Sequence, residues 1–255
     1  MMDIDQIRAL YDREQRIDIQ YPHMQREEAP GVVRHIASHG ARSIVQYSRL
    51  DEHTVDQAIR DQIAYFGNIG QDFEWKAYAH DQLADLVERL RAHGFQTEEP
   101  DAIMLRELKD TSLSTPAHDI RRITDLAQLA DVATVRHAVS ETGHAWSDQY
   151  LRENLRINPD YLSVYVVYVE NQPASCAWTF FDEGPFASLW GGATRAEYRG
   201  QGLYTTLLDV RMAESRARGK RFVTVDAGTM SRPILEQRGF VCIAAAYECT
   251  WRVQR

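Results

Sequence analysis

Gly191-Gly192-Ala193-Thr194-Arg195-Ala196-Glu197-Tyr198-Arg199-Gly200-Gln201-Gly202-Leu203-Tyr204 decides how this chain is read. An apolar run, 186–190, precedes it, and Leu203, Leu207 and Val210 follow at the spacing of one helix face. The order is strand, glycine-rich turn, helix. The first N–H groups of a helix have no partner and sit in positive potential, so they can cradle phosphate. Glycine lets backbone approach such a ligand closely. The spacing is neither GxGxxG nor GxxxxGK[ST], which argues against a Rossmann dinucleotide site and a P-loop. On the glycines alone, a plain strand-to-helix turn remains an equal alternative.

Upstream of this stretch, 162–169, 174–181 and 186–192 read as three adjacent strands joined by Asn171-Gln172-Pro173 and Asp182-Glu183-Gly184-Pro185. Two helices are expected before them, capped by Thr124 and Ser147, after a short strand at 120–123. Downstream come the strand 222–226, a short helix ending at Gly239, and a closing strand, 241–253. The N-terminal part alternates in the same way. A helix at 3–18 precedes strands at 32–33 and 43–50, a Thr54-capped helix and a strand at 73–78. A helix at 81–93 and a strand at 102–108 follow. Residues 110–118 are the best linker, giving domains 1–115 and 116–255. The fold class is α+β, with a mixed, mostly antiparallel sheet flanked by helices.

Composition narrows the function classes. The 255 residues suit one large domain or two modest ones, and 44% apolar with 26% charged residues fits a globular protein. All of the net charge of −8 falls in residues 1–115, so no general basic field for nucleic acid is expected. The longest apolar run, 164–169, is far short of the ~20 residues that span a bilayer. Met1-Met2-Asp3-Ile4-Asp5 lacks the pattern of a secretory signal, and the expectation is a cytoplasmic protein. Cys176, Cys242 and Cys249 form no CxxC pair and read as small apolar residues. Neither disulfides nor a metal site is expected, and the pairs His35/His39 and His137/His144 read as incidental.

An internal echo runs through the chain. Leu86-Val87-Glu88-Arg89-Leu90-Arg91-Ala92-His93-Gly94-Phe95 and Ile234-Leu235-Glu236-Gln237-Arg238-Gly239-Phe240 both end a helix in Gly-Phe between strands.

The glycine-rich stretch resembles motif A of the GNAT superfamily of acyl-CoA N-acyltransferases, with Arg199, Gly200, Gln201 and Gly202 on its [R/Q]-x-x-G-x-[G/A] signature. Ser231-Arg232-Pro233-Ile234-Leu235-Glu236-Gln237-Arg238-Gly239-Phe240 resembles its motif B, and the likeness covers roughly 118–254. The resemblance implies the GNAT fold and acetyl-CoA as co-substrate without a metal. Its pyrophosphate would lie on the loop amides, and its pantetheine arm in a splay between 186–194 and 222–226. The implied cofactor-binding set is Gly192, Ala193, Thr194, Arg199, Gly200, Gln201, Gly202, Leu203, Tyr204 and Ser231. Tyr204 departs from the usual Gly or Ala. Leu235 stands where many members carry a tyrosine proposed to protonate the leaving thiolate. The strand Phe73-Glu74-Trp75-Lys76-Ala77-Tyr78 and the Gly94-Phe95 helix end resemble a partial, degenerate GNAT-like half preceding a complete one. That half has no RGxG turn and should not bind the cofactor.

Amine acylation needs a neutral amine, a polarised thioester carbonyl and a proton for the thiolate. Asp226, ending an apolar strand, is the first candidate for base or amine anchor, or else it caps the next turn. Glu197 precedes the loop and is a further candidate, although a solvated loop residue is its plainer reading. Tyr247 on the last strand is a candidate acid, or a packing aromatic. His144 and Trp146 fall where the family builds its acceptor wall, or they are loop packing.

These readings lead to a bacterial, cytoplasmic N-acetyltransferase acting on the primary amine of a small molecule or peptide by direct attack. No nucleic-acid or membrane partner is expected, and a homodimer is allowed. The alternatives are a non-catalytic acyl-CoA sensor or partner-binding module, and a tandem acyltransferase of the mycothiol-synthase type.

Overall fold

The computed structural model describes residues 3–38, 42–109, 118–140 and 145–253. They pack as two compact units: residues 1–104, 227–236 and 241–255 form one, and residues 105–226 and 237–240 the other. Packing does not follow chain order, because the closing strand, expected with the second half, belongs to the first unit. Residues 110–117 of the expected linker lie outside the described residues.

The first unit begins with α1 (Ile4–Asp12), continued by a π-helical turn over Arg13–Ile17. Then come β1 (Met24–Ala29), β2 (Val32–Ala37), β3 (Ser43–Ser48), α2 (Val55–Asn68), β4 (Phe73–Tyr78), α3 (Leu86–Ala92), β5 (Gln96–Thr97) and the first four residues of β6 (Asp101–Glu107). β1, β2 and β3 form an antiparallel meander, and β3 then pairs in parallel with β4 around α2. β4 is buried at all six positions, and Phe73, Trp75 and Ala77 face a core with Val45, Ile59, Phe66 and Leu90. Each such large side chain contributes about 1.5–3 kcal/mol by leaving water.

The second unit contains β7 (Asp119–Ile123), α4 (Leu129–Val139), α5 (Ala145–Ile157), β8 (Leu162–Val169), β9 (Gln172–Phe180), β10 (Phe186–Thr194), α6 (Leu203–Ala217) and most of β11 (Phe222–Ala227). β7, β8, β9 and β10 are antiparallel in sequence order, and β10 pairs in parallel with β11 around α6. This is the mixed, mostly antiparallel sheet flanked by helices that the sequence indicated. β8 is apolar on both faces because both are covered. Val164, Val166, Cys176 and Trp178 pack with α4 and α5 residues, while Val167, Ala174 and Ala177 pack with Leu203 and Leu207 of α6. α7 (Arg232–Gln237) and β12 (Val241–Trp251) end the chain, and β12 pairs antiparallel with β4.

Several local expectations shift where a side chain finds a better partner. Thr54 caps nothing with its side chain; its amide and hydroxyl go to the Asp51 carboxylate. The helix expected over 81–93 shortens to α3 because Asp81 closes the end of β4, accepting from the Tyr78 amide at 2.7 Å. Asp125, not Thr124, caps the turn before α4. Ser147 lies inside α5, where its hydroxyl accepts from Arg136 at 2.6 Å. The polar strand β1 had no hydrophobic alternation to reveal it.

Candidate active site

β10 delivers the chain at Thr194 into a 3-10 turn, Ala196–Tyr198, and α6 begins at Leu203 with Gly202 as its N-cap. No side chain caps this helix. The amides of Leu203, Tyr204 and Thr205 occupy the first turn and have no carbonyl one turn earlier. Thr205 and Thr206 donate their hydroxyls to the Gly202 carbonyl, at 2.7 and 3.0 Å, leaving the donors of the turn untouched. Gly200 and Gly202 are left-handed, with φ of 77° and 78°. A Cβ on Gly200 would meet nothing within 4 Å, and one on Gly202 only the Thr205 hydroxyl at 3.7 Å. Conformation, not space, therefore calls for glycine here. The result is an exposed, uncapped helix N-terminus suited to an anion.

Tyr204 fits because Gly192 has no side chain: a Cβ there would lie 2.6 Å from the Tyr204 ring. Burial raises the Tyr204 phenol, against the opposing pull of Arg211. Arg211, two turns on, is 2% exposed and donates to the carbonyls of Leu207, Trp178 and Trp190 at 3.1, 3.2 and 3.4 Å. Burial brings its guanidinium down to about 10. It anchors β10 where the register against β9 shifts, between Trp190 and Ala193. Gly191, in that bulge, lies so close to the Trp178 ring that a Cβ would be 1.9 Å away.

The parallel pairing of β10 with β11 covers Phe186↔Phe222, Ala187↔Val223 and Ser188↔Thr224, and ends there. Beyond this point the strands part. The stacked rings of Phe186 and Phe222, 5.1 Å apart, mark one face of the pair. By the two-residue period of strands, Ser188, Thr224 and Asp226 belong to that face. Asp226 is half-buried and sits just past the parting. Behind Ser188 the Asp182 carboxyl is 5% exposed and accepts from Tyr161 at 3.0 Å and from Ser188 at 3.4 Å. Burial raises this carboxyl above the usual range. Tyr161 is in turn hydrogen-bonded to Tyr150 of α5, whose phenol burial pushes up to about 12.

Residues 129–240 match the family model described as "Acetyltransferase (GNAT) family". This segment is a GNAT acetyltransferase domain. No curated protein matches the chain. Among solved structures, it is similar to a GCN5-related N-acetyltransferase from Kribbella flavida, with TM-score 0.68 and 13% identity over 89% of each chain. A functionally unknown conserved protein from Staphylococcus epidermidis gives TM-score 0.63 and 14% identity over 92% of this chain and 96% of that one. A tandem GNAT protein from the clavulanic acid biosynthesis pathway gives 0.57 and 13%, over 100% and 89%. At these identities the likeness is one of fold, and it extends across the N-terminal half, which also resembles a GNAT unit.

The GNAT domain is an acyltransferase domain of a family that uses acetyl-CoA. Its loop residues Gly192, Ala193, Thr194, Arg199, Gly200, Gln201, Gly202, Leu203 and Tyr204 are brought together at the β10–α6 turn. Arg199 is exposed and donates to the Thr194 carbonyl at 3.3 Å. Glu197 is exposed and ion-paired with Arg195 at 2.6 Å, the bonding of a loop residue. Ser231 and Tyr247 belong to the other compact unit. The Ser231 hydroxyl donates to the Gly228 carbonyl at 3.3 Å, while Tyr247 is half-buried against the first unit's core and opposite Ala77 on β4. Leu235 is fully buried. His144 lies outside the described residues, and for Trp146 only its backbone place in α5 is described.

Burial drives the thiols of Cys176 and Cys249 up to about 12, as expected of small apolar residues rather than nucleophiles. No cluster of three metal-ligating side chains occurs, and no helix is long and apolar enough to cross a membrane, among the described residues. Sequence reasoning passed over Asp182, Tyr161, Tyr150 and Arg211. Asp182 looked like any turn-forming residue of an Asp-Glu-Gly-Pro hairpin, and no local signal separates it from one.

Proposed function

We propose that the protein transfers the acetyl group of acetyl-CoA to the primary amine of a small molecule, by direct attack and without an acyl-enzyme. The uncapped N-terminus of α6 behind two left-handed glycines carries this reading, because it offers several backbone donors to a pyrophosphate. Six residue steps of β10 separate Thr194 from Ser188, about 20 Å of extended strand. That is the reach of an extended pantetheine arm, so a pyrophosphate on the loop puts the thioester near the parting of β10 and β11. Backbone of Gly192, Ala193 and Thr194 would line the arm, and Asp226 would hold the incoming ammonium.

Calorimetric binding of acetyl-CoA, with release of CoA thiol across a panel of primary amines, tests this. Binding with turnover of at least one amine is expected, and a protein that does not bind acetyl-CoA overturns it. A second reading, a non-catalytic acyl-CoA sensor, draws on Leu235, a fully buried aliphatic residue that supplies no proton. Binding without turnover on any amine would favour the sensor.

A further inference from the structure

We propose that Asp182, acting through the Ser188 hydroxyl, accepts the proton an ammonium substrate must lose before it attacks. The inference rests on the amine-acetyltransferase reading above and names the base within it.

Three observations carry it. Ser188 is the last β10 residue paired with β11, at the base of the opening where the thioester would lie. Its hydroxyl faces one carboxyl oxygen of Asp182 at 3.4 Å, while the other oxygen accepts from Tyr161 at 3.0 Å. Asp182 forms no direct ion pair among the described residues, and burial raises its carboxyl more than the nearby Lys220 ammonium and the two hydroxyls lower it. Buried carboxyls without a partner hold a proton more readily, which suits a base that must take one from an ammonium.

The charged and titratable groups around Asp182 are few. Tyr161 follows α5, and Tyr150 from α5 stands behind it. Lys220 follows α6 and spends its ammonium on the carbonyls of Asp182 and Gly184. Arg218 and Glu183 act on Lys220. The Asp182 carboxyl therefore meets hydroxyls directly, while Lys220, held on backbone carbonyls, lowers it from a distance without offsetting burial.

The protons balance without a separate acid. One N–H proton of the ammonium passes to Ser188 Oγ as the Ser188 proton passes to the facing Asp182 oxygen. The neutral amine forms the C–N bond and the C–S bond breaks. One of the two protons left on the attacking nitrogen moves to the departing sulfur, and the other stays on the amide. Asp182 then releases its proton to solvent, so each turnover yields amide, CoA thiol and one proton. This accounts for a protein that carries Leu235 in place of a phenol.

The test is kcat and kcat/KM against pH for the full-length protein, Asp182→Asn and Ser188→Ala, with acetyl-CoA binding measured in parallel. Loss of a general base costs about 10²–10⁴ in rate. Asp182→Asn should lose at least about a hundredfold in kcat at pH 7 and recover as the pH rises past the pKa of the amine. Ser188→Ala should follow the same pattern with a loss of about tenfold or more. Acetyl-CoA affinity should stay within about twofold in both variants. Turnover by Asp182→Asn within about threefold of the parent overturns the proposal, as does a loss equal at every pH, the mark of a structural role. If Asp182→Asn does not fold, Ser188→Ala decides by the same criteria. A parent protein that acetylates no amine fails the functional reading itself, and the proposal falls with it; an active parent with indifferent variants fails the proposal alone.

Discussion

The chain makes a strand-to-helix turn of this kind in each half, and the two turns differ in the residues that shape them. Between β3 and α2, Asp51 accepts from the amides of His53 and Thr54 at 3.0 and 2.9 Å and from the Thr54 hydroxyl at 2.8 Å. These hydrogen bonds, the Thr54 hydroxyl first, hold the Asp51 carboxyl below its usual range. Between β10 and α6, glycines stand instead; no side chain caps either helix, and the Asp51 bonds fall on amides that precede α2. Both turns lead from an antiparallel meander into a parallel pair that soon parts, after Val45↔Trp75 in one and Ser188↔Thr224 in the other. In the first unit the Arg16 guanidinium lies 5.1 Å from the Tyr47 ring of β3 and 3.7 Å from the Tyr78 ring of β4. It is paired with Asp12 at 2.9 Å and Asp81 at 2.5 Å. A carboxylate at the turn and a buried cation over both strands are what the N-terminal unit carries where the other has glycines.

Arg16→Ala should give the largest effect. It strips the partner from Asp81, whose side chain is 4% exposed, and breaking a buried pair costs about 3–5 kcal/mol. Urea unfolding monitored on the N-terminal aromatics should show this loss. A variant as stable as the parent would mean the cation does not hold that unit together. Gly202→Glu attacks the other turn, placing a side chain at φ 78° and negative charge at the helix start. Acetyl-CoA affinity should fall at least about tenfold, about 1.4 kcal/mol, by calorimetry. Unchanged affinity would remove the turn from the site.

Asp51→Ala sharpens the comparison. It should lower the melting temperature by a few degrees near neutral pH without creating acetyl-CoA binding in the first unit, since Arg16 still lies over β3 and β4. Because the folded carboxyl titrates below its unfolded value, its contribution is present above the ordinary carboxylate range and is lost as pH falls through the lowered pKa. The melting difference between variant and parent should therefore shrink in acid; a constant difference would exclude the carboxylate. The smallest effect is expected from Tyr247→Phe, which keeps a ring packed on the first unit's core. Its kcat should change by less than about threefold, and a hundredfold fall would make that phenol the acid.

The β10 turn and α6 were legible because everything that shapes them is contiguous: an apolar strand, two glycines that adopt left-handed φ, and leucines at helical spacing. The three central strands were legible for the same reason, as was the resemblance between the halves. The polar β1 was not, since an exposed edge strand needs no apolar alternation. Helix starts moved by a few residues wherever a carboxylate such as Asp81 or Asp125 outbid the expected cap.

By itself the sequence determined the mixed sheet, the glycine turn, and the absence of such a turn in the N-terminal half. Tertiary structure alone decided that β12 pairs with β4, some 170 residues earlier in the chain. It also decided that Arg16 meets Asp81 across 65 residues and that Asp182 meets Tyr161 and Ser188. The physical reason is range. A turn is set by the φ preferences and hydrogen bonds of neighbouring residues. A buried charge is set by what the folded core brings beside it, and no local pattern records which partner that is.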